Sequence, residues 1–119
     1  MIKKQNNYHK ELKNLMDEYV HLVYKITKDF PREELFGSTS QLRRAALSVI
    51  LNYIEGFARI GEATYKNFLK ISYGSLKESE YLLNFSFKEK FMSEKNYLRA
   101  SEMADRVGAM LWGIISRIR

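Results

Sequence analysis

The sequence contains no cysteine and only one proline, Pro31. Without cysteine, the protein cannot form disulfides, thiol nucleophiles or thiolate metal sites. No stretch approaches the roughly 18 apolar residues that a membrane-spanning helix needs. The first residues, MIKKQNNYHKEL, are basic and lack the apolar core of a secretory signal. These absences together predict a cytoplasmic protein without a membrane segment.

Motifs that carry chemistry are also lacking. The sequence has no phosphate-binding Walker loop, no GxGxxG and no HExxH. Glu18 and His21 have the E-x-x-H spacing used in di-iron helical bundles, but such sites need a second E-x-x-H and further inward-facing glutamates. His9 supplies no matching partner. We therefore expect no catalytic residues, no metal site and no cofactor.

What the sequence does contain is helical periodicity. Apolar residues recur every three or four positions in four segments, which is the pattern of amphipathic helices. The first segment ends before Pro31, the second and third run over 39–58 and 62–88, and Ser93 is placed to cap the fourth. Ser38 and Gln41 have the spacing of a capping box for the second helix. The sequence has no sustained alternation of apolar and polar residues, the pattern that would predict a strand.

Four helices with short connections predict an all-α, antiparallel up-and-down four-helix bundle. We expect residues 1–119 to form one domain, with residues 1–7 as a flexible basic tail.

The second predicted helix is apolar over roughly two-thirds of its circumference. A peripheral helix of a monomeric bundle needs an apolar arc of only a little over 100°. Another subunit would cover the excess, so the pattern predicts a homo-oligomer. A central second helix whose extra face packs on a loop is the alternative. The residues predicted to form the subunit interface are Leu47, Ile50, Leu51 and Ile54.

Two opposite charges fall on apolar helix faces. Arg43 lies among isoleucines of the second helix, and Glu80 lies among leucines of the third. Because a buried charge is costly unless it is paired, we expect Arg43 and Glu80 to form a structural ion pair, within or between subunits.

The net charge is +6 and the isoelectric point is near 9.5, which suits a polyanionic partner. Lys66, Lys70 and Lys77 share a narrow sector of the third helix, with tyrosines beside it, and Arg99 and Arg106 share a face of the fourth. Such rows can bind phosphates while the tyrosines stack on bases. The alternative is that both rows are ordinary solvated faces.

Three segments resemble one known family. They are SQLRRAALSVILNYIEGFAR (40–59), FLKISYGSLKESEYLL (68–83) and DFPREELFGSTSQ (29–41). They are similar to the four helix bundle protein family, which includes proteins encoded in intervening sequences of bacterial 23S ribosomal RNA genes. The resemblance implies four-helix subunits assembled as a ring-shaped homopentamer. It extends to the accessory variability determinant proteins of diversity-generating retroelements, which bind nucleic acid and associate with a reverse transcriptase.

The sequence and this resemblance predict a non-enzymatic, oligomeric nucleic-acid-binding protein that acts as an accessory to a reverse transcriptase. The competing hypothesis is a homo-oligomeric protein-interaction scaffold that does not bind nucleic acid directly. Binding of RNA or DNA that weakens with salt separates the two hypotheses.

Overall fold

The computed structural model describes residues 6–118 and contains four α-helices. A 3₁₀ turn (Arg32–Glu34) and a π turn (Leu35–Thr39) lead into the second helix, and no strand occurs within these residues. This confirms the predicted all-α class with four helices. The helices are α1 (Asn7–Thr27), α2 (Ser40–Ala58), α3 (Glu62–Lys88) and α4 (Glu94–Ile115).

Side-chain caps fix the starts of α1 and α4. The Asn6 side chain accepts a hydrogen bond from the His9 backbone N–H at 3.0 Å, and Ser93 Oγ accepts one from the Asn96 N–H at 3.1 Å. Each bond satisfies an N–H group that has no partner inside its helix. The predicted Ser93 cap is confirmed. Asn6 caps α1 and Asn7 is its first residue, so neither belongs to the flexible tail predicted for residues 1–7. Residues 1–5 of that predicted tail lie outside the described part of the chain.

The start of α2 differs from the predicted capping box. The Ser38 hydroxyl and backbone N–H both donate to Glu34 Oε1, at 2.7 and 3.1 Å. Ser38 lies inside the π turn, and the residue before α2 is Thr39, which makes no side-chain cap. The prediction was wrong because the helical turn begins before the capping position. The two bonds from Ser38 favour the charged carboxylate and lower the pKa of Glu34.

Each helix packs mainly against two others. α1 contacts α2 and α4, while α3 contacts α2 and α4, so the core lies at the centre of the four. Aliphatic residues and two tyrosines fill this core without exposure to solvent. The largest of them are Tyr19, Tyr53, Leu12, Met16, Leu42, Leu69, Leu76, Leu83 and Leu111.

α2 and α3 approach each other closely because small residues line their contact. Ser72 Oγ donates to the Val49 carbonyl at 2.6 Å, which is possible only if the two backbones are near. At Gly56, an added Cβ would lie 3.1 Å from the Cβ of Phe68. Small residues such as Ser72 and Gly56 therefore allow α2 and α3 to pack closely.

His9 is a buried histidine at one end of the bundle. Its Nδ1 shares a hydrogen bond with the Tyr53 hydroxyl, and its ring meets the edge of Phe57 with centroids 4.7 Å apart. Burial among aromatic rings disfavours the imidazolium and lowers the pKa of His9 below its usual 6.5.

We expect this burial to make stability depend on pH. A lowered folded-state pKa means that the unfolded chain binds the proton more readily, so the free energy of unfolding is highest above pH 6.5 and falls as the pH drops below it. Chemical denaturation of wild type and His9→Gln over this range would show a weaker dependence in the variant. His21→Gln is the matched control, because His21 is largely exposed beside Asp17, with Nε2 3.4 Å from Oδ1. An equal effect of both variants would contradict this account of His9.

Candidate nucleic-acid interface

Lys66, Lys70 and Lys77, here called the lysine row, lie along one edge of α3. Residues spaced by four and seven positions share a helix face, and the row spans about 16 Å at 1.5 Å per residue. Lys66 Nζ donates to the carbonyl of Ile118, just beyond the end of α4, at 2.8 Å. Lys77 Nζ lies 3.2 Å from Glu80 Oε1, and this carboxylate raises the pKa of Lys77. The row therefore borders the groove between α3 and α4, with Glu80 beside its Lys77 end.

Two aromatic rings lie in the same groove. Tyr73 falls within the lysine row on α3, and its ring centroid is 5.4 Å from that of Trp112 on α4. Lys77 Nζ lies 5.2 Å from the centre of the Tyr73 ring, close enough for a cation–π interaction. The tyrosine beside the lysines was predicted from sequence. Trp112 was not, although it is the only tryptophan of the chain.

Arg99 and Arg106 lie on the opposite side of α4. Both line the groove between α1 and α4, which we call the arginine groove. Its α1 wall carries carboxylates beside each arginine: Asp17 and Glu18 near Arg99, and Glu11 and Glu18 near Arg106. The five predicted nucleic-acid-binding residues are thus divided between two faces. The lysine row has aromatic neighbours and one carboxylate, Glu80, whereas the arginine groove is lined by three carboxylates.

The predicted subunit-interface residues also separate. Leu47, Leu51 and Ile54, here called the α2 apolar surface, are exposed, and Leu51 keeps 53% of its accessible area. Ile50 is only 9% exposed and packs in the core of its own subunit. The prediction that Ile50 faces a second subunit is therefore wrong. α2 contacts both α1 and α3, which requires a wider apolar arc than one neighbour would.

Arg43 and Glu80 each have another partner in the chain. Arg43 Nε donates to Thr27 Oγ1 at 2.7 Å, and its guanidinium lies 4.6 Å from the centre of the Tyr24 ring. Glu80 pairs with Lys77 as described above. Within the described residues, the predicted Arg43–Glu80 ion pair is therefore wrong as a contact inside one subunit. A positive charge beside the last turn of α1 is favourable because the carbonyl groups there lack partners.

We expect Arg43→Ala to lower the free energy of unfolding by about 1 to 2 kcal/mol, because it removes a charged hydrogen-bond donor from Thr27. In double-mutant cycles measured by denaturation, Arg43→Ala and Thr27→Val should couple by more than about 0.5 kcal/mol, whereas Arg43→Ala and Glu80→Ala should be additive within about that amount. Coupling of Arg43 with Glu80 instead would indicate the predicted ion pair between subunits.

Two further properties of residues 6–118 bear on function. None of their helices is both long and apolar enough to cross a membrane. Their histidine, aspartate and glutamate side chains form no group of three or more that would hold a metal ion. The Glu18–His21 spacing lies on an exposed part of α1, where His21 faces Asp17.

Comparisons with known proteins identify relatives by sequence and by fold. The sequence model of the family described as 23S rRNA-intervening sequence protein matches residues 9–113. No curated protein matches the sequence. A crystal structure of a protein of unknown function from the S23 ribosomal protein family of Bacteroides thetaiotaomicron is similar, with a TM-score of 0.79 and 20% sequence identity. The match covers 87% of this chain and 97% of that one, and at this identity it shows a shared fold.

Proposed function

The chain belongs to the 23S rRNA-intervening sequence protein family, and from this premise we propose that it is a non-enzymatic, homo-oligomeric nucleic-acid-binding protein. The observation that carries the proposal is the lysine row on α3, which combines three cations with the exposed ring of Trp112. Phosphates are bound by such cations and bases by such rings. The net charge of +6 adds a long-range attraction for RNA or DNA.

We propose an antiparallel up-and-down bundle as the subunit. Contacts near both ends of neighbouring helices support it. Tyr8, near the start of α1, donates its hydroxyl to the carbonyl of Met110 near the end of α4, at 2.7 Å. Asn84, near the end of α3, donates to the Tyr97 hydroxyl near the start of α4, at 3.0 Å.

We propose that these subunits assemble through the α2 apolar surface. Three exposed aliphatic side chains at spacings of four and three residues form a continuous stripe that water solvates poorly. Leu35 and the 91% exposed Phe36 lie beside Leu47 and extend the stripe toward the start of α2. A ring of five subunits is the proposed assembly, as the resemblance to the four helix bundle protein family implies. Repetition of the lysine row around a ring would multiply the field of one subunit.

Two observations bear on which nucleic acid the protein binds and on its protein partner. The family's description points to 23S ribosomal RNA genes, which favours an RNA ligand. Association with a reverse transcriptase rests on the resemblance to the accessory variability determinant proteins alone. A gene for such an enzyme beside the gene for this protein would support that role.

Co-sedimentation of the purified protein with labelled RNA and DNA at about 50 mM salt tests the proposed function. We expect the labelled nucleic acid to move with a protein of several times 14.1 kDa. An oligomer that sediments without RNA and without DNA would favour the second candidate function, a protein-interaction scaffold. The α2 apolar surface is the observation that supports this second candidate.

A further inference from the structure

The groove between α3 and the second half of α4 contains an aromatic pair, the partly buried Tyr73 and the exposed Trp112, beside the lysine row. Tyr73 and Trp112 are inclined by 43°, and Trp112 keeps 51% of its area exposed although it is the largest side chain of the protein. Large apolar rings are usually covered in a packed bundle, because each buries 150 to 250 Å². The exposed part of Trp112 is therefore available to a planar ligand.

Cations lie on both sides of this pair along α3. Lys77 is one turn beyond Tyr73, Lys70 is one turn before it, and Lys66 is a further turn away, held by its bond to the Ile118 carbonyl. Both Lys66 and Lys77 are thus positioned by contacts at opposite ends of the row. A flexible polyanion that follows the row passes over the aromatic pair.

We propose that Trp112 and Tyr73 form a base-stacking platform that makes the lysine row select single-stranded over duplex nucleic acid. This inference rests on the proposed nucleic-acid-binding function and specifies its ligand. In a duplex, the faces of the bases are occupied by neighbouring bases, so only the phosphates reach a flat helix surface. An unpaired base can rotate onto the Trp112 ring while its phosphates contact Lys70 and Lys77.

Charge favours this ligand over a second copy of the chain. In a face-to-face contact through this groove, a second copy would present the same three lysines, whereas the assembly proposed above uses the α2 apolar surface. Like charges placed together repel, whereas a nucleic-acid strand supplies a negative charge at each nucleotide.

Because Trp112 is the only tryptophan, its fluorescence reports directly on the platform. We expect a 12-nucleotide oligo(U) or oligo(dT) to quench this fluorescence in the wild-type oligomer and to shield the ring from acrylamide. A duplex of equal length should bind more weakly and quench little. Trp112→Ala should weaken single-strand binding by about tenfold, measured by anisotropy of a labelled strand, and Trp112→Phe should retain most of it.

The matched control is Tyr24→Ala. Tyr24 is an exposed aromatic residue of α1, on a different helix from the lysine row, and its ring centre lies 4.6 Å from the Arg43 guanidinium. Its replacement should leave single-strand affinity unchanged. If Trp112→Ala fails to fold, the quenching of wild type and the affinity of Trp112→Phe still decide the question.

The possible failures are distinguishable. Binding of single strand and duplex with equal affinity, or single-strand binding that leaves Trp112 fluorescence unchanged, would overturn the platform and leave the proposed function intact. Binding of neither ligand at about 50 mM salt would overturn the proposed function and the platform together.

Discussion

Leu51→Glu is expected to dissociate the oligomer into folded subunits. Leu51 is half exposed in the subunit, so a glutamate there is solvated by water in the free monomer. In an assembly through the α2 apolar surface, the same carboxylate would lose its water without gaining a partner, at a cost of several kcal/mol for each contact. Light scattering should report a wild-type mass several times 14.1 kDa and a variant mass near that of one chain.

Two controls separate dissociation from unfolding and from surface charge. Leu98→Glu places the same charge on a comparably exposed leucine of α4, at 57%, and should leave the assembly intact. Ile50→Glu should lose helical circular dichroism, because Ile50 belongs to the subunit core. A wild-type protein that is monomeric at micromolar concentration, or equal dissociation by Leu98→Glu, would refute the proposed interface.

Neutralising the lysine row should weaken nucleic-acid binding on the order of a hundredfold at about 0.1 M salt for each subunit that contacts the strand. For a single strand, each lysine–phosphate contact contributes about 0.7 to the slope of log K against log salt. Three contacts therefore account for a factor of about one hundred in the binding constant at that salt concentration. The triple variant Lys66→Gln/Lys70→Gln/Lys77→Gln, titrated with labelled RNA, should therefore bind weakly and show a flatter salt dependence. Its mass by light scattering should equal that of wild type.

The arginine groove supplies a control of equal charge. Lys10→Gln/Arg99→Gln/Arg106→Gln also removes three positive charges, but from the groove where Glu11, Asp17 and Glu18 lie beside them. A small effect of this variant would assign binding to the lysine row. An equal loss from both variants would mean that only net charge matters, and a loss confined to this variant would move the interface to the arginine groove.

The sequence predicted the helices well because their signals are local. Helical periodicity, Pro31 and the Ser93 cap depend on residues within a few positions of one another, and the predicted range of α3, 62–88, agrees with the structure. The capping box before α2 was wrong, because the turn around Ser38 depends on the bond from Ser38 to Glu34, which the motif does not include.

Contacts between helices were harder to predict. A helical wheel indicated that α2 is apolar on too much of its circumference, but it does not say which apolar residues meet α1 and α3, so Ile50 was assigned to the wrong surface. It also indicated that Arg43 and Glu80 were unusual on apolar faces. The partner of Arg43, Thr27, lies on α1 and is a neutral acceptor, which charge patterns do not reveal. The partner of Glu80, Lys77, lies only three residues before it on α3, so this pair was open to prediction from spacing.

Trp112 illustrates the same difficulty for the candidate site. On α4 it stands beside Leu111 and Ile115, which are core residues, so its position in the sequence suggests burial. Only the placement of α3 shows that the ring meets Tyr73 at the edge of the lysine row. The available signal was that Trp112 lies on a different face of α4 from Arg99 and Arg106, seen by counting 100° per residue.

The most direct test of the central claim, that the lysine row of an oligomer binds nucleic acid, is the salt dependence of RNA binding by the wild-type protein. Affinity for a single strand should be measured between about 50 and 200 mM salt, with the oligomer's mass confirmed at each concentration. We predict a linear fall of log K with log salt, with a slope of about −2 for each engaged subunit, from three lysine–phosphate contacts. No binding at about 50 mM salt, or an affinity that does not change with salt, would contradict the account.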